Sequence, residues 1–146
     1  MFYDYNIKSN LNADILWMAL SKMDHWLCEL STIKSIIPKS KGDFFTEGFK
    51  YDVKTPEKIT MHATITKIDE DKKEVTIDAH AGFLKSHLTC RILEHENYSI
   101  IQRRQEYPGI FGKFFTKIKG EREKSETKEY LKTWLSYAQE LEKASK

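Results

Sequence analysis

The sequence predicts an α+β fold: one curved antiparallel sheet of seven strands, a long C-terminal helix across its inner face, and two short helices near the start. Three observations predict it. Period-two alternation of apolar and polar residues dominates from residue 33 to residue 107. Turn chemistry cuts that stretch into hairpins whose apolar residues share one face. After Pro108-Gly109 the apolar spacing becomes helical. The predicted order is β-α-α-β-β-β-β-β-β-α, in one domain over residues 1–146. A sheet this long cannot cover its own inner face, and one helix laid across it leaves room beneath.

The first strand is Phe2 to Lys8, where Tyr3, Tyr5 and Ile7 alternate with polar residues. Asn10 or Asn12 caps the helix that follows, with Asp14 in its first turn, where the helix dipole favours negative charge. Ile15, Leu16, Ala19 and Leu20 form its apolar face, and a shorter piece after Asp24 carries Trp26, Leu27 and Leu30. Ile33 to Ile37 is a strand ended by Pro38. A hairpin centred on Pro56 pairs Val53 with Ile59 and Tyr51 with Met61. One centred on Glu70 pairs Ile65 with Val75, Ala63 with Ile77 and Met61 with Ala79. A turn at Lys85-Ser86 pairs Phe83 with Leu88 and Ala81 with Cys90. A turn at Glu96-Asn97 pairs Ile92 with Ile101, Cys90 with Arg103 and Leu88 with Gln105. That last register turns Ile101, Arg103, Gln105 and Tyr107 inward, whereas a slip of one residue turns Arg104 and Glu106 inward instead. Either way an arginine reaches the apolar face, which is costly unless it is paired or solvated. The ordinary reading has it snorkelling at the strand end or pairing with Glu94; the functional reading points it at a ligand.

Beyond the sheet, Phe111, Phe114, Phe115 and Ile118 form one helical stripe, and Leu131, Trp134, Leu135, Ala138 and Leu141 form another. At about 100° per residue the two stripes lie on nearly opposite sides of a straight helix. The expectation is therefore a break or bend at Gly120, with the long helix running from about Glu121 to Lys143. Extended backwards, the second stripe reaches Thr127, Lys124 and Gly120, so the polar stretch 120–129 reads either as a solvated face or as a movable helix half at a cavity mouth.

Composition narrows the function classes. The 146 residues include 24 basic and 22 acidic ones, a net charge of +2 without the clustered positive charge that nucleic acid binding needs. Cys28 and Cys90 have neither metal-ligand spacing nor a disulfide framework. Asp4, Asn6 and Lys8 interrupt any signal-peptide pattern, and the longest apolar stretch, Ile15 to Leu20, is far too short to span a bilayer. The expectation is a cytoplasmic protein with no integral membrane segment. Of the five histidines, His62 and His80 fall on the outer sheet face, His62 opposite Asp78 and His80 opposite Arg91. A surface cross-strand pair explains His62 and Asp78 better than a catalytic dyad. His87 and His95 lie at turns, and His25 opens the short helix. No metal motif, phosphate loop or Ser–His–Asp pattern is present, so neither metal nor cofactor is expected.

The element order resembles the START-like, helix-grip (SRPBCC) superfamily, and within it the polyketide cyclase/dehydrase and lipid-transport group. The resemblance rests on Asn12-Ala13-Asp14-Ile15-Leu16-Trp17-Met18-Ala19-Leu20 in the first helix and on Asp24-His25-Trp26 in the second. Glu47-Gly48-Phe49-Lys50-Tyr51 and the Asn97 to Gly109 segment, with its Pro-Gly exit, complete it. It covers essentially the whole chain. It implies a cavity between sheet and long helix for an apolar or amphipathic ligand, and it carries over no catalytic residues.

The expected role is to bind a hydrophobic small molecule, such as a lipid, isoprenoid, quinone or aromatic metabolite, as carrier or sensor. On the sheet the candidate ligand-binding residues are Phe49, Tyr51, Met61, Ala63, Ile77, Ala79, Cys90, Ile101 and Arg103. From the helical region come Phe111, Phe115, Thr127, Leu131 and Trp134. The small residues Ala63, Ala79 and Ala81 either mark the widest part of the cavity or let the helix approach. The alternative is a cyclase- or dehydrase-like enzyme in which Arg103, with Tyr51 or Tyr107, stabilises a developing oxyanion. A second alternative is a protein-interaction domain using the Phe111 to Phe115 segment. The sequence leaves the oligomeric state open.

Overall fold

The computed structural model describes residues 2–145, with side chains for all of them except residues 2 and 110–121. The elements are β1 (Phe2–Ser9), α1 (Ala13–Ser21), two single 3-10 turns (Met23–His25 and Leu27–Glu29), β2 (Ser35–Pro38), β3 (Lys50–Lys54), β4 (Thr60–Asp69), β5 (Glu74–Ala81), β6 (Leu84–Glu94), β7 (Ser99–Glu106) and α2 (Gly109–Ala144). The seven strands form one antiparallel sheet in the order β1-β7-β6-β5-β4-β3-β2. It is a meander in which the first strand joins last, beside β7.

The side facing α2 follows the alternation, but three hairpin registers differ from expectation. Tyr51 pairs with Ala63 rather than Met61, because residues 55–59 make a longer loop in which Thr55 N–H donates to Ile59 O (2.9 Å) and Lys58 takes φ +67°. Ile65 pairs with Ile77 rather than Val75, and a bulge between Ile65 and Lys67 absorbs an extra residue. Up to Ile65 both shifts are even, so those side chains keep their faces; past the bulge the shift is odd, and Ile68 turns to the core side opposite Val75. The third shift is larger. Gly82 at φ +60° starts the turn itself, so Ala81 pairs with Leu84 rather than Cys90, and Phe83 sits exposed at the tip. The final hairpin has the expected register: Ile92 with Ile101, Cys90 with Arg103, Leu88 with Gln105.

The outer-face histidines rearrange accordingly. His62 opposes His80 and bonds Asp52 at 2.8 Å instead of meeting Asp78. His80 opposes Lys85 rather than Arg91. His87 lies within β6 rather than at a turn and bonds Asp78.

The core lies between the sheet, α1 and the C-terminal half of α2. Asn12 caps α1 by accepting from Asp14 N–H at 2.7 Å, and Leu16, Ala19 and Leu20 are its buried face. Two indoles lock this corner: Trp26 Nε1 donates to Ala19 O (2.9 Å) and Trp134 Nε1 to Leu16 O (2.8 Å). Both are fully buried, and each N–H has found the partner that a buried Trp needs.

α2 runs without a break for 36 residues, straight through Gly120. One glycine inside a helix costs only about 1 kcal/mol relative to alanine. The Lys, Glu and Arg residues around it are good helix formers, so two apolar stripes on different faces do not force a break. Tyr130, Leu131, Trp134 and Ala138 form the buried stripe of the C-terminal half. The expected Phe111, Phe114, Phe115 and Ile118 stripe lies outside the described side chains. No helix among the described residues is long and apolar enough to cross a membrane.

Candidate functional site

A cavity of about 270 Å³ lies between the inner face of the sheet and the N-terminal half of α2. The alternation that turns apolar side chains of β3–β6 inward supplies one wall, which includes Val53, Met61, Ala63, Ile77, Ala79 and Leu88. Small residues at 63 and 79, paired with each other across β4 and β5, leave the space unfilled. The opposite wall is polar. It comes from β7 and its exit (Arg103, Gln105, Tyr107) and from one face of α2 (Glu123, Glu126, Tyr130).

Arg103 is the centre of that wall, and it is 2% exposed. Its Nη1 donates to Thr127 Oγ1 (2.9 Å), and its Nη2 donates to Gln105 Oε1 (3.1 Å) and reaches Glu126 Oε1 at 3.4 Å. Its guanidinium stacks 4.4 Å from the centre of the Tyr130 ring. Thr127 passes the contact on by donating to Glu123 O at 3.0 Å. The arginine therefore neither snorkels nor pairs with Glu94, which sits at the far end of β6 opposite Ser99. α2 brings it a counter-ion instead. Burial works against the charge of Arg103, and Glu126 together with Tyr130, Cys90 and Tyr107 outweighs it, so its pKa stands above the ordinary value.

Beside it, Tyr107 Oη donates to Glu123 Oε2 at 2.6 Å. Burial, then the Glu126 charge, raises the pKa of Glu123. Burial, then the Glu123 carboxylate, holds the Tyr107 phenol well above its usual range. Burial does the same to Tyr51. Burial also pushes the Cys90 thiol up to about 11. Arg122 on α2 forms an ion pair with Glu57 of the β3–β4 loop, joining helix and sheet beside the cavity. The pair depresses the Glu57 carboxyl, chiefly through its hydrogen bond from Arg122.

The structure brings Tyr51, Met61, Ala63, Ile77, Ala79, Arg103 and Tyr107 together on the cavity wall. It places Cys90, Ile101, Leu131 and Trp134 in the packed core instead, all fully buried and off the wall. Phe49 also leaves the wall, packing its ring 4.9 Å from that of Phe44. Thr127 stands behind Arg103 as its partner. Phe111 and Phe115 lie outside the described side chains. Sequence reasoning misses Glu123, Glu126 and Tyr130. The signal is present: Glu123, Thr127, Tyr130 and Trp134 continue the buried stripe at i, i+4, i+7 and i+11, but two charged residues in a polar stretch read as solvated. Among the described residues, no group of three or more His, Cys, Asp or Glu could hold a metal ion.

No known protein family matches the chain by sequence, and no curated protein matches it. Solved structures do match. Norcoclaurine synthase from Thalictrum flavum, solved in complex with dopamine and hydroxybenzaldehyde, aligns with a TM-score of 0.72 at 16% identity, covering 100% of this chain and 88% of that one. Ara h 8.0201 aligns with a TM-score of 0.68 at 16% identity over 96% and 98% of the two chains. A protein from Thermus thermophilus aligns with a TM-score of 0.73 at 9% identity over 97% and 99%. At these identities the likeness is one of architecture. The chain has the Bet v 1/START-like helix-grip fold, with its seven-stranded antiparallel sheet closed against a long C-terminal helix.

Proposed function

We propose that this chain binds a compact hydrophobic small molecule in the cavity under α2 and serves as its cytoplasmic carrier or sensor. The observation that carries this reading is the division of the cavity into an apolar sheet wall and a polar wall built from β7 and α2. An apolar pocket with a few fixed polar groups is the usual construction of a small-molecule site. The volume of about 270 Å³ lies just under the roughly 300–1,000 Å³ typical of drug-sized ligands. It suits an aromatic metabolite, a quinone head or a short isoprenoid better than a two-chain lipid. A structural neighbour solved with two small aromatic molecules supports that size class.

The test is native mass spectrometry of protein purified from its own host, followed by denaturing extraction. A near-stoichiometric apolar molecule supports the reading and names the class. Clean protein that also shows no thermal shift against a panel of quinones, isoprenoids and aromatic metabolites contradicts it, because a ligand at a hundred times its Kd stabilises by about 2.7 kcal/mol.

A second reading, catalysis in the same cavity, is favoured by one contact. A buried carboxyl of raised pKa, bonded at 2.6 Å to a phenol, has the form of an acid–base pair. On that reading Glu123→Gln abolishes turnover while leaving binding in place.

A further inference from the structure

A cavity that holds a buried arginine invites an acidic ligand. The contacts of this arginine lead to the opposite conclusion. We infer that the polar wall selects a ligand head that donates hydrogen bonds, a hydroxyl or an amine, and rejects a carboxylate. The inference rests on the small-molecule reading above.

Two observations carry it. First, the terminal nitrogens of Arg103 are already bonded, to Thr127, Gln105 and Glu126, the Tyr130 ring covers one face, and its Nε, unpartnered among the described residues, is sealed from the cavity. It is an internal counter-ion rather than a free hook. Second, the charges on the wall do not balance. Three wall carboxyls, Glu57, Glu123 and Glu126, face two guanidiniums: Arg103, which reaches Glu126, and Arg122, which is ion-paired with Glu57 and also feels Glu123 and Glu126. An arriving carboxylate would meet two acidic side chains in a partly dry space, where like charges repel most strongly. A donor meets two carboxyl groups with acceptor capacity to spare, since a carboxyl keeps acceptor lone pairs in either protonation state. A hydroxyl or an amine head is able to donate to these glutamates.

Isothermal titration calorimetry at neutral pH, with four probes of one size, tests this on the intact chain: naphthol, its methyl ether, naphthoate and naphthylmethylamine. The expected result is that naphthol, naphthylmethylamine or both bind at least about tenfold more tightly than the ether and the acid, the size of one hydrogen bond to a charged group. Naphthol above the amine assigns a neutral donor; the reverse assigns a cation. In Glu126→Gln the acid should gain on the donors, because one repelling charge is gone. Naphthoate binding as well as the donors, or all four binding alike, overturns the selection rule and leaves the cavity reading standing. Binding by none of the four overturns the rule and counts against the cavity reading as well.

Discussion

The two halves of α2 are held by different forces. From Tyr130 to Ala138 the helix is clamped by apolar burial, with Trp134 and Trp26 both bonded to carbonyls of α1. From Arg122 to Thr127 it is held to the sheet by polar side chains: Arg122 to Glu57, Glu123 to Tyr107, Glu126 and Thr127 to Arg103. The first kind of contact is non-directional and excludes water, so it makes a core. The second is directional and leaves space, so it makes a cavity. One helix thus serves as structural strut and as cavity wall, and the change between them falls within one turn.

Changes at the two ends should separate these roles. The largest effect belongs to the clamp. Trp134→Ala removes a fully buried indole and its bond to α1, and should cost roughly 3–5 kcal/mol in denaturant unfolding. A loss under about 1 kcal/mol would break the comparison. Next is the buried ion pair. Arg103→Met alone leaves Glu126 without its partner and should destabilise by about 2–3 kcal/mol, below the roughly 3–5 kcal/mol of a fully buried pair because Glu126 keeps some contact with water. Adding Glu126→Gln should recover much of the loss, since replacing both charges is far less costly than stranding one. If the double variant is as unstable as the sum of the singles, the two residues are not coupled in the way the contacts imply.

A smaller effect sharpens the comparison through pH. The folded-state pKa of Glu123 is raised, so the folded protein holds this proton more tightly than the unfolded chain does. The contribution is favourable below the ordinary value of 4.5 and is lost as pH rises from there through the folded pKa. Glu123→Gln should therefore flatten the fall in stability above that value, measured as melting temperature against pH relative to wild type. An unchanged profile would mean that burial does not strain this carboxyl. The smallest expected change is at Glu57→Gln, which removes an exposed ion pair. Its melting temperature should stay near wild type while a bound naphthol leaves faster in stopped-flow displacement.

What is legible in the sequence follows the same division. The sheet is, because period-two alternation fixes faces: the two-residue differences at the β3–β4 hairpin and on β4 up to Ile65 move no side chain across, and only the bulge after Ile65 turns Ile68 over. The third register is not, because Lys85-Ser86 looks like a turn in sequence while Gly82 adopts the left-handed conformation and makes the turn earlier. An inward arginine on β7 is legible from the alternation, and the structure chooses Arg103 over Arg104 by the register of the Glu96-Asn97 turn. The partners of Arg103 are not legible. A glutamate in a polar helical stretch looks solvated until tertiary packing brings a buried guanidinium opposite it, and spacing alone does not place α2 over β7. The unbroken helix at Gly120 escapes sequence reading for a related reason: two apolar stripes on one helix need not share a common surface.

The most direct test of the central claim, a ligand cavity under the polar half of α2, is a methyl-labelled NMR titration with naphthol. The account predicts shifts concentrated at Met61, Ala63, Ile77, Ala79 and Leu88 on the cavity wall, with Leu16, Leu20 and Leu131 of the clamp nearly still. Shifts confined to the clamp or to the outer sheet face, or none at saturating probe, would contradict it.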